Sequence, residues 1–145
     1  MGRAYINSIQ GFCVSFALDI SKLVNKYNGN VDKAVRTAGF ELVRRVVNNT
    51  PVDTGRLRGN WQATVDAPAT GTTELDDKSG QATIQAAMPA IKQMTGRVFW
   101  LSNNLPYARR IEYEGHSSIK APAGMVRVSI AELQDSLTLS QIPSR

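Results

Sequence analysis

A helical stripe of apolar residues ends at Pro51, and a different hydrophobic period begins after it. Asn30 is suited to N-capping, and from there to residue 49 apolar positions recur at three- and four-residue steps, which predicts a helix. These positions are Val31, Ala34, Val35, Ala38, Leu42, Val43, Val46 and Val47. The helix stops at Thr50-Pro51, because proline lacks an N–H donor and disfavours helical geometry in the preceding residue. From Leu57 to Asp66 apolar and polar residues alternate, which predicts a strand with one solvated face.

Two further amphipathic helices are predicted on either side of this region. Apolar residues recur at helical steps from Phe12 to Tyr27, and Asn28-Gly29 then offers a left-handed stop. Ser79 is suited to cap a helix that carries Pro89, which should kink or shorten it. Its shared apolar face consists of Ile84, Ala87, Met88 and Ile91.

The remaining segments predict a second strand and two more helices. Arg97 to Leu101 is short and apolar on both faces, which is typical of an interior strand. Pro106 marks a turn into a short helix from Ala108 to Tyr113. A C-terminal helix follows from the spacing of Val126, Ile130, Leu133 and Leu137.

The length of 145 residues predicts a single domain over the whole chain, 1–145. Apolar residues make up 42% of the sequence, which is enough to build one core. Residues 67–78 are rich in Pro, Gly, Thr and acidic side chains and predict a surface loop with mobile parts. Residues from about 140 to 145 are expected to form a C-terminal tail.

Several kinds of site are disfavoured by the composition. One cysteine and one histidine cannot form an intrachain disulfide or the usual four-ligand Cys/His zinc site. No uncharged apolar run approaches the length of a membrane span, so no membrane partner is expected. The acidic residues Asp53, Asp66, Glu112 and Glu114 match no hydrolase spacing. We therefore expect no enzymatic activity, no catalytic residues, no metal and no cofactor.

The segment TPVDTGRLRGNW, residues 50–61, is the first of three motifs. Pro51 fixes one backbone dihedral, Asp53 can accept a hydrogen bond from the N–H two residues on, and Gly55 permits a positive φ. Thr54 completes this turn. Turn chemistry alone accounts for every one of these residues, so a connector between helix and strand explains the motif without any binding role.

The second motif, NNLPYARRIEY at residues 103–113, combines aromatic and basic side chains. Tyr107 and Tyr113 with Arg109 and Arg110 would suit base stacking and phosphate contact. The same residue types are enriched at protein interfaces. Composition alone leaves both possibilities open, and the excess of 17 basic over 12 acidic residues permits nucleic-acid binding without requiring it.

Together with APAGMV at residues 121–126, the third motif, these segments resemble the tail-completion and minor tail proteins of long-tailed bacteriophages. This group is also described as head-to-tail joining or neck proteins, and the resemblance covers about residues 30–135. The family's first turn falls on Pro51, Asp53, Thr54 and Gly55, and its second on Pro106, Tyr107, Glu112 and Gly115.

The resemblance implies an α+β subunit with long helices packed on a small twisted, mainly antiparallel sheet with extended loops. Such subunits assemble as rings, commonly hexameric, at the head-proximal end of the tail tube, and they neither catalyse a reaction nor bind a cofactor. The implied partners are further copies of the chain, the tail tube protein and the head-completion or connector protein. Genomic DNA would pass through the lumen without sequence-specific binding.

Two hypotheses from different classes therefore stand. In the first, the chain is a structural virion protein, assembled in the host cytoplasm, that caps the tail tube and joins it to the head. In the second, it is a small basic nucleic-acid-binding module, for which Arg109 and Arg110 would supply phosphate contacts. A third hypothesis, a phage lysis or processing enzyme, would rest only on carboxylates whose spacing indicates no catalytic acid/base pair.

Overall fold

A computed structural model describes residues 5–8, 12–15, 26–115 and 121–139 of the chain. In chain order these form strands β1 (Tyr5–Ser8) and β2 (Phe12–Ser15), helices α1 (Val31–Asn49) and α2 (Arg56–Gly59), and strand β3 (Gln62–Val65). Helix α3 (Gln81–Gln93), strand β4 (Phe99–Ser102) and helices α4 (Ala108–Tyr113) and α5 (Val126–Leu139) follow. The fold is α+β, as the sequence resemblance implies.

The strands form two antiparallel pairs, and the helices cover one face of the second pair. β1 pairs with β2, β3 pairs with β4, and β1 lies alongside β4. α3 packs on β3 and against α1, which also packs against α5. Side-chain hydrogen bonds from Arg45 to Ser136 (3.3 Å) and from Asn49 to Ser129 (3.1 Å) join α1 to α5.

The core lies between α1, α3, α5 and the inner face of β4. The apolar stripe predicted for α1 supplies much of it, and Phe99 and Leu101 contribute from β4. Asn30 caps α1 as expected, accepting a hydrogen bond at 3.0 Å from the backbone N–H of Lys33. The helices predicted from Ala108 to Tyr113 and from Val126 onward are confirmed.

The prediction of a helix beginning at Phe12 is wrong over its first turn, because Phe12–Ser15 is a strand paired with Tyr5–Ser8. Aromatic and β-branched residues favour strands, and a run of four residues is too short for helical period to outweigh pairing. The part of that prediction at residues 16–25 lies outside the described residues, as does the predicted tail at 140–145.

Two boundaries also differ from the sequence prediction. Leu57 and Gly59 belong to the one-turn helix α2, so the strand begins only at Gln62. Leu57 and Gly59 are both buried, which resembles the alternation of a strand, but the 2.9 Å hydrogen bond from the Gly59 N–H to the Gly55 carbonyl closes a helical turn. Helix α3 begins after Gly80 instead of Ser79, since Gly80 takes the left-handed conformation that leads into the helix.

Candidate functional site

The first motif begins with a junction between α1 and α2, residues 50–56, that is pressed against a distant loop. Gly55 is buried with φ +96°, and its carbonyl accepts a 3.1 Å hydrogen bond from the Asp77 N–H. A Cβ at Gly55 would lie 2.7 Å from the backbone atoms of Asp77 and Lys78. Only glycine therefore meets both the conformation and the close approach.

The other predicted turn residues have distinct positions. Thr54 accepts the hydrogen bond from the Arg56 N–H at 3.2 Å, so the hydroxyl of Thr54 stabilises this turn. The prediction that Asp53 would bind the N–H two residues on is wrong, because Asp53 is exposed and makes no hydrogen bond to the described residues. Thr54 lies two residues before Arg56 and offers the same short-range geometry. Pro51 is half-buried.

Arg58 joins the end of α1 to the loop at residues 67–78 through hydrogen bonds, a role that the sequence did not indicate. Its guanidinium donates hydrogen bonds to the carbonyls of Lys78 (2.6 Å), Thr50 (2.9 Å) and Asn48 (3.3 Å). Burial lowers the pKa of Arg58 from its ordinary value, although Asp77 acts in the opposite direction. Trp61 adds a 2.7 Å hydrogen bond from its indole N–H to the Thr50 hydroxyl.

Buried polar side chains anchor the loop at residues 67–78, which contains no helix or strand. The Asn60 amide donates to the Thr73 carbonyl (3.1 Å) and accepts from the Thr73 N–H (2.8 Å). Gly59 contacts the loop so closely that a Cβ would lie 2.0 Å from the Leu75 carbonyl oxygen. The end of the first motif is therefore the surface on which this loop rests.

Asp77 ends the loop and caps α3. Its carboxylate accepts hydrogen bonds from the N–H groups of Gly80 (2.8 Å) and Thr83 (2.9 Å) and from the hydroxyls of Ser79 and Thr83. Burial on its own raises the pKa of Asp77, but these hydrogen bonds outweigh it and hold the pKa below its ordinary value. An acidic residue just before a helix was the available sequence signal.

The second motif is joined to the first by its two asparagines. The Asn103 amide donates to the Leu57 carbonyl at 2.8 Å, and the Asn104 amide donates to the carbonyls of Ala69 (2.8 Å) and Gly71 (2.9 Å). Both asparagines are buried. Because their partners are backbone atoms of the first motif and its loop, they fix where α4 starts.

Glu112 joins the second motif to the third. Its fully buried carboxylate accepts hydrogen bonds from the N–H groups of Met125 (2.6 Å), Val126 (2.9 Å) and Arg127 (3.1 Å), at the N-terminus of α5. The Arg127 guanidinium pairs with the same carboxylate and with the Glu112 carbonyl. Gly124 (φ +87°) approaches so closely that a Cβ would lie 2.7 Å from that carbonyl.

The remaining predicted residues of the second motif lie on the outer surface. Pro106, Arg109 and Arg110 are exposed, and neither arginine side chain forms a hydrogen bond or ion pair with the described residues. Tyr107 is 39% exposed. Gly115 has φ +60°, and there is open space where a Cβ would lie. The backbone conformation therefore favours glycine at this position, but the surrounding atoms do not require it.

Tyr113 and Arg127 extend this exposed surface at the other end of α4. Tyr113 is 43% exposed, and the Arg127 guanidinium lies 5.1 Å from the centre of its ring, a distance typical of a cation–π contact. Arg56 lies near Tyr107, where two 3.0 Å hydrogen bonds to Glu74 raise the pKa of Arg56 and lower that of Glu74. We call the surface formed by Pro106, Tyr107, Arg109, Arg110 and Tyr113 the α4 face.

A groove of about 540 Å³ lies between the first and third motifs. Its lining residues are Asn48, Asn49, Thr50, Pro51, Val52, Arg58, Ala121, Pro122, Ala123, Gly124 and Val128. Its walls combine short apolar side chains with the polar side chains of Asn48, Asn49 and Thr50, and Arg58 is the charged residue in this lining. The structure thus brings the three separated motifs into mutual contact, through Asn103, through Glu112 and across this groove.

Metal-binding and membrane-spanning features are absent from the part of the chain that the structure describes. No three His, Cys, Asp or Glu side chains there are grouped closely enough to hold a metal ion. Within the same residues, no helix has the length and hydropathy needed to cross a bilayer.

Most of the chain is similar to a known protein family. Residues 16–113 match the HK97-gp10-like family, described as "Bacteriophage HK97-gp10, putative tail-component". The matched region contains all of the first and second motifs. No curated protein and no solved structure matches the chain.

Proposed function

Since the chain belongs to the HK97-gp10-like family of bacteriophage tail components, we propose that it caps the head-proximal end of the tail tube and joins the tail to the head connector. It acts as a structural protein of the virion without enzymatic chemistry. Its partners are further copies of itself in a ring, six in the simplest case, together with the tail tube protein and the connector protein.

The observation that carries this proposal, beside family membership, is the division of the second motif into a buried half and an exposed half. Asn103, Asn104 and Glu112 are buried and hold the fold together. The α4 face projects from the same segment, and the side chains of Arg109 and Arg110 form no hydrogen bond or ion pair with the described residues. Tyrosine and arginine are the residue types that supply much of the binding energy at protein interfaces.

A ring at the end of a tube requires chemically different surfaces on each copy. One surface must match the last ring of the tube, another must match the connector, and lateral contacts must close on themselves. The α4 face and the groove between the first and third motifs are two such different surfaces, one basic and aromatic, the other concave and largely apolar. The channel must also release DNA, so we expect no uniformly basic lumen.

A phage with an amber mutation in this gene tests the proposal. We expect DNA-filled heads and unjoined, in part overlong, tails to accumulate in a non-suppressing host, and joined particles to return in a suppressing host. Electron microscopy of lysates distinguishes these products. Normal joined particles in the mutant would contradict the proposal, and so would a virion reconstruction in which the chain is absent from the neck and tail.

The nucleic-acid hypothesis makes a different prediction for the purified chain. A duplex binder that contacts six to ten phosphates loses roughly three to five decades of affinity between 50 and 200 mM salt. We expect weak binding without sequence preference in a filter-binding assay over that range. Tight and steeply salt-dependent duplex binding would favour a nucleic-acid-binding module instead.

A further inference from the structure

We propose that the free subunit pairs with a second copy of this chain across a two-fold axis, with the α4 face of each copy against exposed carboxylates of the other. These carboxylates lie beside the first motif, and the proposed function assigns them no role. Only the consequence of the pairing for tail joining rests on that function.

The α4 face supplies the basic half of the contact. Arg109 and Arg110 precede Tyr113 by four and three residues, so the three side chains share one side of the helix. Both arginines are exposed and form no hydrogen bond or ion pair with the described residues. Their charges can therefore meet carboxylates of another chain without any internal pair having to break.

The acidic half consists of Asp53, Glu74 and Asp76, which are all exposed. The 3.1 Å hydrogen bond from the Asp77 N–H to the Gly55 carbonyl holds residues 53–56 beside residues 74–77. The three carboxylates therefore belong to one region, and we call them the junction carboxylates.

Two of the junction carboxylates are unpaired. Glu74 forms an ion pair with Arg56 at 3.0 Å, whereas Asp53 and Asp76 form no hydrogen bond or ion pair with the described residues. The junction carboxylates outnumber the basic side chains of the same region, Arg56 and Lys78. An acidic excess thus remains available to a partner.

Arg56 lies where the two halves meet. Its pKa is raised mainly by the hydrogen bonds to Glu74, and Asp76 and Tyr107 add smaller electrostatic contributions. The guanidinium is therefore close both to the acidic half and to the α4 face. Tyr107 is 39% exposed at this boundary and offers apolar contact area beside the charges.

The adjacency of the halves on one surface favours a two-fold contact. A ring needs two contact surfaces on different sides of each subunit, whereas a two-fold contact uses one self-complementary surface. A half-turn about an axis near Arg56 places the α4 face of each copy opposite the junction carboxylates of the other. Opposite charges then meet in both directions, and the pair closes on itself.

The pairing covers the α4 face, to which the proposed function assigns tail joining. The dimer is therefore a resting form that must separate before the subunit joins the tail. It keeps the α4 face of free subunits from binding partners before assembly.

Analytical ultracentrifugation of the purified full chain tests the pairing. We expect a dimer whose Kd rises about tenfold or more between about 50 and 500 mM salt, because salt screens exposed charges. The double variants Arg109→Glu with Arg110→Glu, and Asp53→Lys with Asp76→Lys, should each be monomeric with an unchanged melting temperature. Lys92→Glu on exposed α3 is the control and should remain dimeric.

Mixing the two double variants provides the sharpest result. The new glutamates of one chain then face the new lysines of the other, and the unchanged halves also face each other. A heterodimer should therefore form in native mass spectrometry, although neither variant pairs with itself. A mixture that stays monomeric, or a wild type that is monomeric at low salt, overturns the pairing.

Two further outcomes separate this proposal from the proposed function. A wild-type chain that closes into a ring on its own overturns the two-fold contact while supporting the ring. In the amber phage, Asp53→Lys with Asp76→Lys should join tails at the wild-type level, because only the resting dimer is lost. Loss of joining in that variant would overturn the resting role of the dimer.

Discussion

At the scale of single residues, the site is built from close backbone approaches and from buried polar groups that each satisfy several partners. Gly55 and Gly124 combine a positive φ with a neighbouring backbone that leaves no space for a Cβ. Arg58 and Glu112 each bind three or more groups from other segments, and the Asp77 carboxylate binds several groups at the start of α3. A single substitution at these positions therefore affects several segments at once.

Gly55→Val should destabilise the protein strongly. A β-branched residue at positive φ costs on the order of 1 to 3 kcal/mol, and overlap with the backbone of Asp77 adds to it. Gly71→Val is the matched control, because Gly71 is exposed with open space where a Cβ would lie, and its effect should stay within about 0.5 kcal/mol. Thermal and urea unfolding measure both, and similar midpoints for the two variants would contradict the role of Gly55.

Asp77 should make stability depend on pH in the acidic range. Its pKa is lowered in the folded protein, so the unfolded chain binds more protons as the pH falls. The stabilisation is complete above the unfolded pKa of about 3.9 and is lost as the pH falls through that value toward the lower folded pKa.

Asp77→Asn provides the comparison for this pH dependence. It removes the charged acceptor and should cost about 2 kcal/mol at pH 7. Urea unfolding of both proteins between pH 7 and pH 3 should show that the difference between their free energies of unfolding shrinks toward low pH. Asp66 and Glu74, whose pKa values are also lowered, are present in both proteins, so their contributions cancel in this difference. A difference that stays constant with pH would contradict this assignment.

At the scale of secondary-structure elements, the position of α5 depends on a residue of α4. The Glu112 carboxylate occupies the N-terminus of α5, where three backbone N–H groups converge and the helix dipole favours a negative charge. Asn103 in turn sets the start of the α4 segment against the first motif. The elements are thus placed by polar contacts at their ends, in addition to the apolar contacts along their faces.

Glu112→Gln should loosen α5. The amide keeps the size of the side chain but cannot accept all of these hydrogen bonds or pair with Arg127, so we expect a loss of about 2 to 3 kcal/mol. Glu114→Gln changes the same charge two residues away on the exposed surface and should stay within about 0.5 kcal/mol. Urea unfolding compares them, and equal effects would contradict the docking role of Glu112.

The sequence predicted those elements whose hydrophobic periodicity extends over many residues or whose ends carry clear capping or proline signals. Asn30 and Pro51 delimit α1, and the spacing from Val126 onward indicates α5. The short elements at Phe12–Ser15 and Arg56–Gly59 were missed, because four residues have too few positions for a period to decide between helix and strand.

The candidate site was predictable only in part for a related reason. Gly55 could be assigned to a turn from its own conformational preference. The roles of Glu112, Asn103 and Arg58 depend on partners 13, 46 and 20 residues away, which no local pattern reveals.

At the scale of the whole molecule, charged side chains that form no ion pair within the subunit are available to bind partners. Arg36, Arg44, Arg45, Arg56, Arg97 and Arg127 form ion pairs within the chain. Arg109 and Arg110 form none with the described residues and lie together on the α4 face. A partner with acidic groups would meet them without any ion pair of the subunit having to break.

Arg109→Glu and Arg110→Glu should therefore impair assembly without changing the fold. Each should leave the free energy of unfolding within about 0.5 kcal/mol of the wild type, because both side chains are exposed and without a described partner. Lys92→Glu on exposed α3 is the control for the change in charge. Each variant is supplied in trans to the amber phage, and the joined particles are counted. If both arginine variants yield as many joined particles as the wild type, the α4 face has no role in tail joining.

The packing of α1 on α5 has a consequence for the time course of synthesis. The contacts of Asn49 with Ser129 and of Arg45 with Ser136 join residues 80 and 91 positions apart. A ribosome adding about 5 to 20 residues per second makes α1 several seconds before its covering helix exists. The part of α1 that α5 covers is exposed throughout that interval and is open to chaperones or to other nascent chains. We therefore expect the yield of folded subunit in a recombinant host to depend on chaperone supply and on the density of ribosomes translating the message.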